Sequence, residues 1–134
     1  MRRLYTPELA NRSLPLVRAI ATDLRTAALG MQAAWKALEH ADSTDSLERF
    51  AAARRRVKEL YQELDALGVE VKDPFRGLLD FRARRGKDIV YLCWCLDEGA
   101  VEHWHGLEAG FAGRQPIATF GRFGTKDAPS AAVE

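Results

Sequence analysis

Apolar side chains recur along the first half of the chain at alternating spacings of three and four. Leu14, Val17, Ala21, Leu24, Ala28, Met31, Trp35 and Leu38 form one stripe, and Phe50, Ala53, Val57, Leu60, Leu64 and Leu67 form a second. This period places each stripe on one face of an α-helix, in the heptad manner. Thr6, Pro7 and Glu8 read as the start of a short first turn, with Thr6 as cap and Pro7 at the first helical position. Ser13 then reads as the cap of the long helix. Gly30 interrupts that helix at a cost of about 1 kcal/mol relative to Ala. The polar segment from His40 to Ser46, with Asp42, Ser43, Thr44 and Asp45, suits a turn and the cap of the next helix. Gly68 is placed to end that helix in the left-handed conformation. Two stripes joined by a short polar connection predict an antiparallel helical hairpin.

After Gly68 the pattern changes to alternation. Val69 and Val71 predict a short extended stretch that Asp73 and Pro74 break. Gly77 then precedes a strand from Leu78 to Arg84, and the turn Arg85, Gly86, Lys87, Asp88 leads into a strand from Ile89 to Leu96. With Gly86 and Lys87 at the turn centre, counting outward pairs Arg84 with Ile89, Ala83 with Val90, Phe81 with Leu92 and Leu79 with Trp94. The apolar pairs share one face, for the helices. The opposite face carries Arg82 with Tyr91 and Asp80 with Cys93. From Asp97 onward, glycines at 99, 106, 110 and 113 and an acidic start predict irregular structure with one helical turn.

The fold class expected is α+β, a long heptad-patterned antiparallel helical hairpin packed with a β-hairpin and followed by an irregular C-terminal segment. Residues 1–120 form a single expected domain, and 121–134, small and polar without periodicity, a flexible tail. The first helix would be roughly 35 to 40 Å long, more than one small domain covers, and this predicts a homodimer as partner for the uncovered face.

Composition narrows the function classes. Hydrophobic residues are 47% and charged residues 29%, a globular balance. The net charge of +1 gives no global reason to expect nucleic acid or an anionic membrane. No apolar core of a signal peptide follows Met1, and Arg18, Asp23, Arg25 and Lys36 break any membrane-length run in the first helix, so a soluble cytoplasmic protein is expected. Cys93 and Cys95 are two apart, where a bridge within one strand would be strained, and reduced thiols are expected. Arg76, Arg82, Arg84, Arg85 and Lys87 form a local basic excess. A second basic run, Arg54, Arg55, Arg56 and Lys58, is interleaved with Glu48, Glu59, Glu63 and Asp65 and reads as a solvated helix face. Phosphate-loop, dinucleotide-glycine, helix-turn-helix and nucleophile-elbow signatures are missing from the sequence.

Several segments in fixed order carry a family resemblance: LANRSLPLVR at Leu9–Arg18, VEVKD at Val69–Asp73, RGLLDF at Arg76–Phe81, VYLCW at Val90–Trp94 and WHGLEAGFAGRQPI at Trp104–Ile117. Together they resemble the bacterial domain-of-unknown-function family 2203 (DUF2203). The resemblance spans nearly all of the chain except the tail and implies no particular reaction.

The candidate chemistry lies in the second half. His103, His105 and Glu108 form an H-x-H-x-x-E spacing, two imidazoles and a carboxylate suited to a divalent transition metal such as Zn, Fe, Mn or Ni. It resembles the cupin metal motif, but cupins use a longer gap and a β-barrel that this sequence does not encode. A single helical turn would place His105 and Glu108 on one face. Asp80, on the polar face of the hairpin with Cys93 opposite, joins the cluster if the segment around His105 folds back. Arg114, after a glycine-flanked bend, is expected at the rim to attract an anionic ligand. The alternative readings are an Asp80 salt bridge to a neighbouring Arg, solvated histidines and cysteines that pack as small core residues. Two functions follow as expectations: a dimeric module that binds a small molecule or partner, and a metal-dependent enzyme or metal-binding protein that uses Asp80, His103, His105 and Glu108.

Overall fold

The structure is a computed structural model that describes residues 3–40 and 43–121. Helix α1 spans Pro7–His40 and helix α2 spans Thr44–Ala66. Thr6 caps α1, its Oγ1 accepting from the Leu9 amide at 3.1 Å. The separate start expected at Ser13 does not occur: α1 is continuous, and the Ser13 hydroxyl donates back to the Ala10 carbonyl at 2.7 Å, as a serine inside a helix does. Ser43 caps α2 by accepting from the Ser46 amide at 3.1 Å. Gly68 ends α2 with φ of 81°, and its amide donates to the Asp65 carbonyl at 2.9 Å. Residues 41 and 42 of the expected turn, and all of the expected tail except Gly121, lie outside the described residues.

The two helices pack against each other and, through one end, on a five-stranded antiparallel sheet. Its strands are β1 (Val69–Asp73), β2 (Leu78–Arg85), β3 (Asp88–Trp94), β4 (His103–Gly106) and β5 (Gln115–Pro116), adjacent in space in the order of the chain. Between β2 and β3 the register is Leu79 to Trp94, Asp80 to Cys93, Phe81 to Leu92, Arg82 to Tyr91, Ala83 to Val90 and Arg84 to Ile89, as the turn position predicts. Because side chains alternate along a strand, this register assigns every residue of the hairpin to a face. Leu79, Phe81, Ala83, Val90, Leu92 and Trp94 face the helices and join Leu14, Val17, Ala21, Leu24, Leu60 and Leu64 in one core.

Within the segment expected to be irregular, His103–Gly106 forms a strand. Trp104 enters the core opposite Leu92, while His103 and His105 point to the other face. The acidic residues Asp97, Glu98 and Glu102 occupy the connection before the strand, so they impose no burial cost on it. The helical turns appear further on, as two 3₁₀ turns at Phe111–Gly113 and Ile117–Thr119. At the other end of the chain, Tyr5 bridges Ala83 in parallel and its hydroxyl donates to the Leu67 carbonyl, tying the start of α1 to the sheet and to the end of α2.

The packed part of the helical hairpin stops short of its tip. In α1 burial ends at Ala28, whereas Leu29, Trp35 and, on α2, Leu47 are about half exposed. Trp35 and Phe50 rest against each other with ring centroids 5.2 Å apart. At 1.5 Å per residue, the 34 residues of α1 extend about 51 Å. Among the described residues, no helix is long and apolar enough to cross a membrane.

Candidate functional site

The face of the sheet turned away from the helices carries the polar chemistry. Asp80 of β2 lies opposite Cys93 of β3, which lies opposite His103 of β4; one step along the strands, Arg82, Tyr91 and His105 form a second row. Asp80 and His105 meet on the diagonal. The His105 Nε2 lies 3.1 Å from each carboxylate oxygen of Asp80, and both side chains are almost fully buried. The His105 Nδ1 faces the Gly106 carbonyl at 2.7 Å. A carbonyl only accepts, so Nδ1 carries the hydrogen, and a further proton lies between Nε2 and the carboxylate. Burial pushes the Asp80 carboxyl above its ordinary range. The neighbouring His105 charge, its hydrogen bond and Lys72 pull the other way without cancelling it.

Cys93 completes the group. One ligand atom each from Asp80, Cys93 and His105 fits within a mutual separation of 4.8 Å. Burial raises the Cys93 thiol to about 12, with the Asp80 charge adding to the rise and Arg114 opposing it, so at neutral pH Cys93 is a thiol and not a free nucleophile. The three side chains line a cavity of about 180 Å³ whose apolar walls are Leu78, Leu107 and Phe111, with Lys72 and Tyr91 on one side. That side is fixed by Glu70, which accepts from the Tyr91 hydroxyl at 3.0 Å and from Lys72 Nζ at 3.1 Å. Lys72 also stands 4.8 Å over the Tyr91 ring. Two roomier grooves, one beside Tyr5 and Leu9 and one at the hairpin tip beside Gly30 and Ala53, are lined by no buried carboxylate, histidine or cysteine.

The structure thus brings Asp80 and His105 together and adds Cys93. It does not bring Glu108 to them: Glu108 is exposed in the turn after β4, because the segment through His105 is extended and a spacing of three no longer selects one face. His103 shares the face of His105 but turns to the neighbouring loop, its Nδ1 3.6 Å from Glu98. Arg114 donates to Glu98 Oε1 at 2.7 Å and to the Cys93 carbonyl at 3.3 Å, and stacks 4.7 Å from the Phe111 ring centroid. Its charge is therefore engaged by Glu98, behind Cys93, instead of standing at the cavity rim. Burial tends to raise the Glu98 carboxyl, but Arg114 and the Cys95 amide outweigh it and hold the group below its ordinary range. The sequence reading did not single out Lys72, Leu78 or Phe111. Alternation in VEVKD and LLDF could have placed Lys72 and Leu78 on the face of Asp80, whereas Phe111 reaches it through a turn without periodicity.

The fold and the buried Asp–His–Cys group define a small α+β domain with a polar cavity on the helix-free face of a meandering sheet. The chain belongs to the family described as "Uncharacterized conserved protein (DUF2203)", which it matches over residues 3–117. No curated protein and no solved structure matches it.

Proposed function

We propose that the chain is a cytoplasmic small-ligand-binding domain that works as a homodimer, with the ligand seated on the Asp80–His105 pair. One observation carries this reading: an ionisable pair is buried at the floor of a cavity walled by Leu78, Leu107 and Phe111, with Lys72 and Tyr91 along one side. Packing the same two positions with apolar side chains would avoid the desolvation cost of the pair, so stability alone is a poor reason for it. A ligand with one hydrogen-bonding end and a short apolar body matches the floor and walls, and a cavity of about 180 Å³ holds only a small one. Two buried cysteines without a disulfide, Cys93 on β3 and Cys95 just past its end, support the cytoplasmic reading. The exposed Leu29, Trp35 and Leu47 along the outer hairpin support a coiled-coil contact with a second copy.

The binding reading is tested by titrating the chelator-treated protein with short carboxylic acids and amides while following the histidine side-chain and backbone resonances by NMR. Saturable shifts at Asp80, Cys93 and His105 with at least one compound are expected. If no compound binds, or if the shifts fall only at Gly30, Ala34 and Ala53 in the tip groove, the reading is lost.

A further inference from the structure

We infer that Asp80, Cys93 and His105 are the protein ligands of a divalent metal ion of the zinc class, bound with one coordination position open to the cavity. The inference rests on the reading of that cavity as the ligand site and names the ligand's chemistry. Four features of the structure support it.

The donor set is the first: carboxylate, thiolate and imidazole are the three side-chain types that zinc takes, and the three come from different strands. Spacing is the second. With bonds of about 2.0 to 2.3 Å, ligand atoms around a tetrahedral zinc stand roughly 3.3 to 3.8 Å apart. Here Asp80 and His105 approach to 3.1 Å, and the whole set lies within 4.8 Å. The set thus stands close to the spacing that an ion requires.

The third feature is the orientation of His105. Its Nδ1–H is committed to the Gly106 carbonyl at 2.7 Å, which fixes the tautomer and leaves Nε2 as the ligating atom. A backbone carbonyl on the far nitrogen is the usual way in which a metal-bound histidine is held. The fourth is charge. A dication with one thiolate, one carboxylate and a neutral imidazole sums to zero, which suits a site whose three side chains are each nearly inaccessible to solvent. On entry the ion releases two protons, one from the Cys93 thiol and one from the Asp80–His105 pair. Arg114, beside Cys93, is placed to stabilise the thiolate that forms. With three protein ligands the coordination is incomplete, and the vacant position opens toward the cavity between Lys72, Tyr91 and Phe111, as in zinc sites that bind water or an exchangeable small ligand.

The test uses the full chain without an affinity tag, stripped with chelator and titrated with Co²⁺ as a spectroscopic probe, then with Zn²⁺. One Co²⁺ per chain is expected, with a thiolate-to-cobalt charge-transfer band and intense visible absorption, both abolished when Zn²⁺ displaces the probe. Cys93→Ser should lose the charge-transfer band while its circular dichroism stays that of the parent, and Cys95→Ser should keep the band. Asp80→Asn and His105→Gln should each weaken Co²⁺ binding by about tenfold or more. If either fails to fold, the two cysteine variants decide alone. No uptake by the parent protein at micromolar concentration, or a charge-transfer band that survives Cys93→Ser, overturns the inference. Binding of a short carboxylic acid to metal-free protein that takes up no Co²⁺ also overturns it and leaves the proposed cavity function standing. Co²⁺ uptake through Cys93, without any binding of such acids, supports the inference and removes the metal-free reading.

Discussion

Asp80 lies on an interior strand with 1% of its surface accessible, and both its carboxylate oxygens face the His105 imidazole at 3.1 Å. Removing one partner of a buried pair strands the other, so Asp80→Ala should cost about 3 kcal/mol of unfolding free energy, read from urea denaturation of metal-free protein. An unchanged midpoint would mean that the pair is not sealed from water. Glu98 gives a pH-dependent counterpart. Its folded carboxyl is held below the ordinary value of 4.5, so it favours the folded state above that value, and this contribution is lost as pH falls through the lower folded value. Glu98→Gln should therefore lose about 1 to 2 kcal/mol at neutral pH, and its deficit should shrink in acid below the ordinary range. Parallel stability profiles for the two proteins between neutral pH and acid would sink this account. At this scale the sequence revealed that Asp80 faces away from the core with Cys93 opposite, since counting from the Gly86–Lys87 turn fixes both. It concealed the partner of Arg114, because the contact with Glu98 depends on two loops whose paths no period encodes. Glu108 stands apart for a related reason: three-residue spacing joins two side chains on a helix, whereas here the strand that holds His105 ends at Gly106 and Glu108 lies in the exposed turn beyond it.

Among the elements, the apolar stripes identify which face of each helix is covered but not how far along it the cover extends. Leu24 is buried and Leu29, five residues on, is 49% exposed. Leu24→Ala should cost about 3 kcal/mol and Leu29→Ala should be close to neutral, a contrast that thermal or denaturant unfolding checks directly. Equal losses would show that the outer hairpin is packed in solution. The heptad pattern continues through Met31 and Trp35 because α2 alone answers it there, after the sheet has ended. The strand β4 escaped detection for the opposite reason: four residues with glycines nearby carry too short an alternation to register, although Trp104 between two histidines already has the inward and outward pattern of a half-buried strand. Two competing helix starts, Thr6 and Ser13, offered the same capping chemistry. The structure uses the earlier one because Ser13 bonds backward into a helix that has already begun.

For the molecule as a whole, the outer third of the hairpin projects without a sheet beneath it and exposes Leu29, Trp35 and Leu47. If a second copy covers it, sedimentation should give twice the chain mass of 15.0 kDa, and Trp35→Glu combined with Leu29→Glu should return the monomer with its fold intact. A parent protein that sediments as a monomer at micromolar concentration removes the dimer. The sheet, for its part, is assembled in the order of the chain, its strands pairing with their sequence neighbours apart from the Tyr5 bridge to β2, with β2, β3 and β4 interior and the two-residue β5 at one margin. Opening can therefore begin at that margin and proceed inward one strand at a time without disturbing the strands not yet reached. Amide hydrogen exchange should record this as a gradient: the Ile117 amide, bonded to the Glu102 carbonyl at 2.7 Å, exchanges early, the β4 amides follow, and those between β2 and β3 exchange last, at the rate of global unfolding.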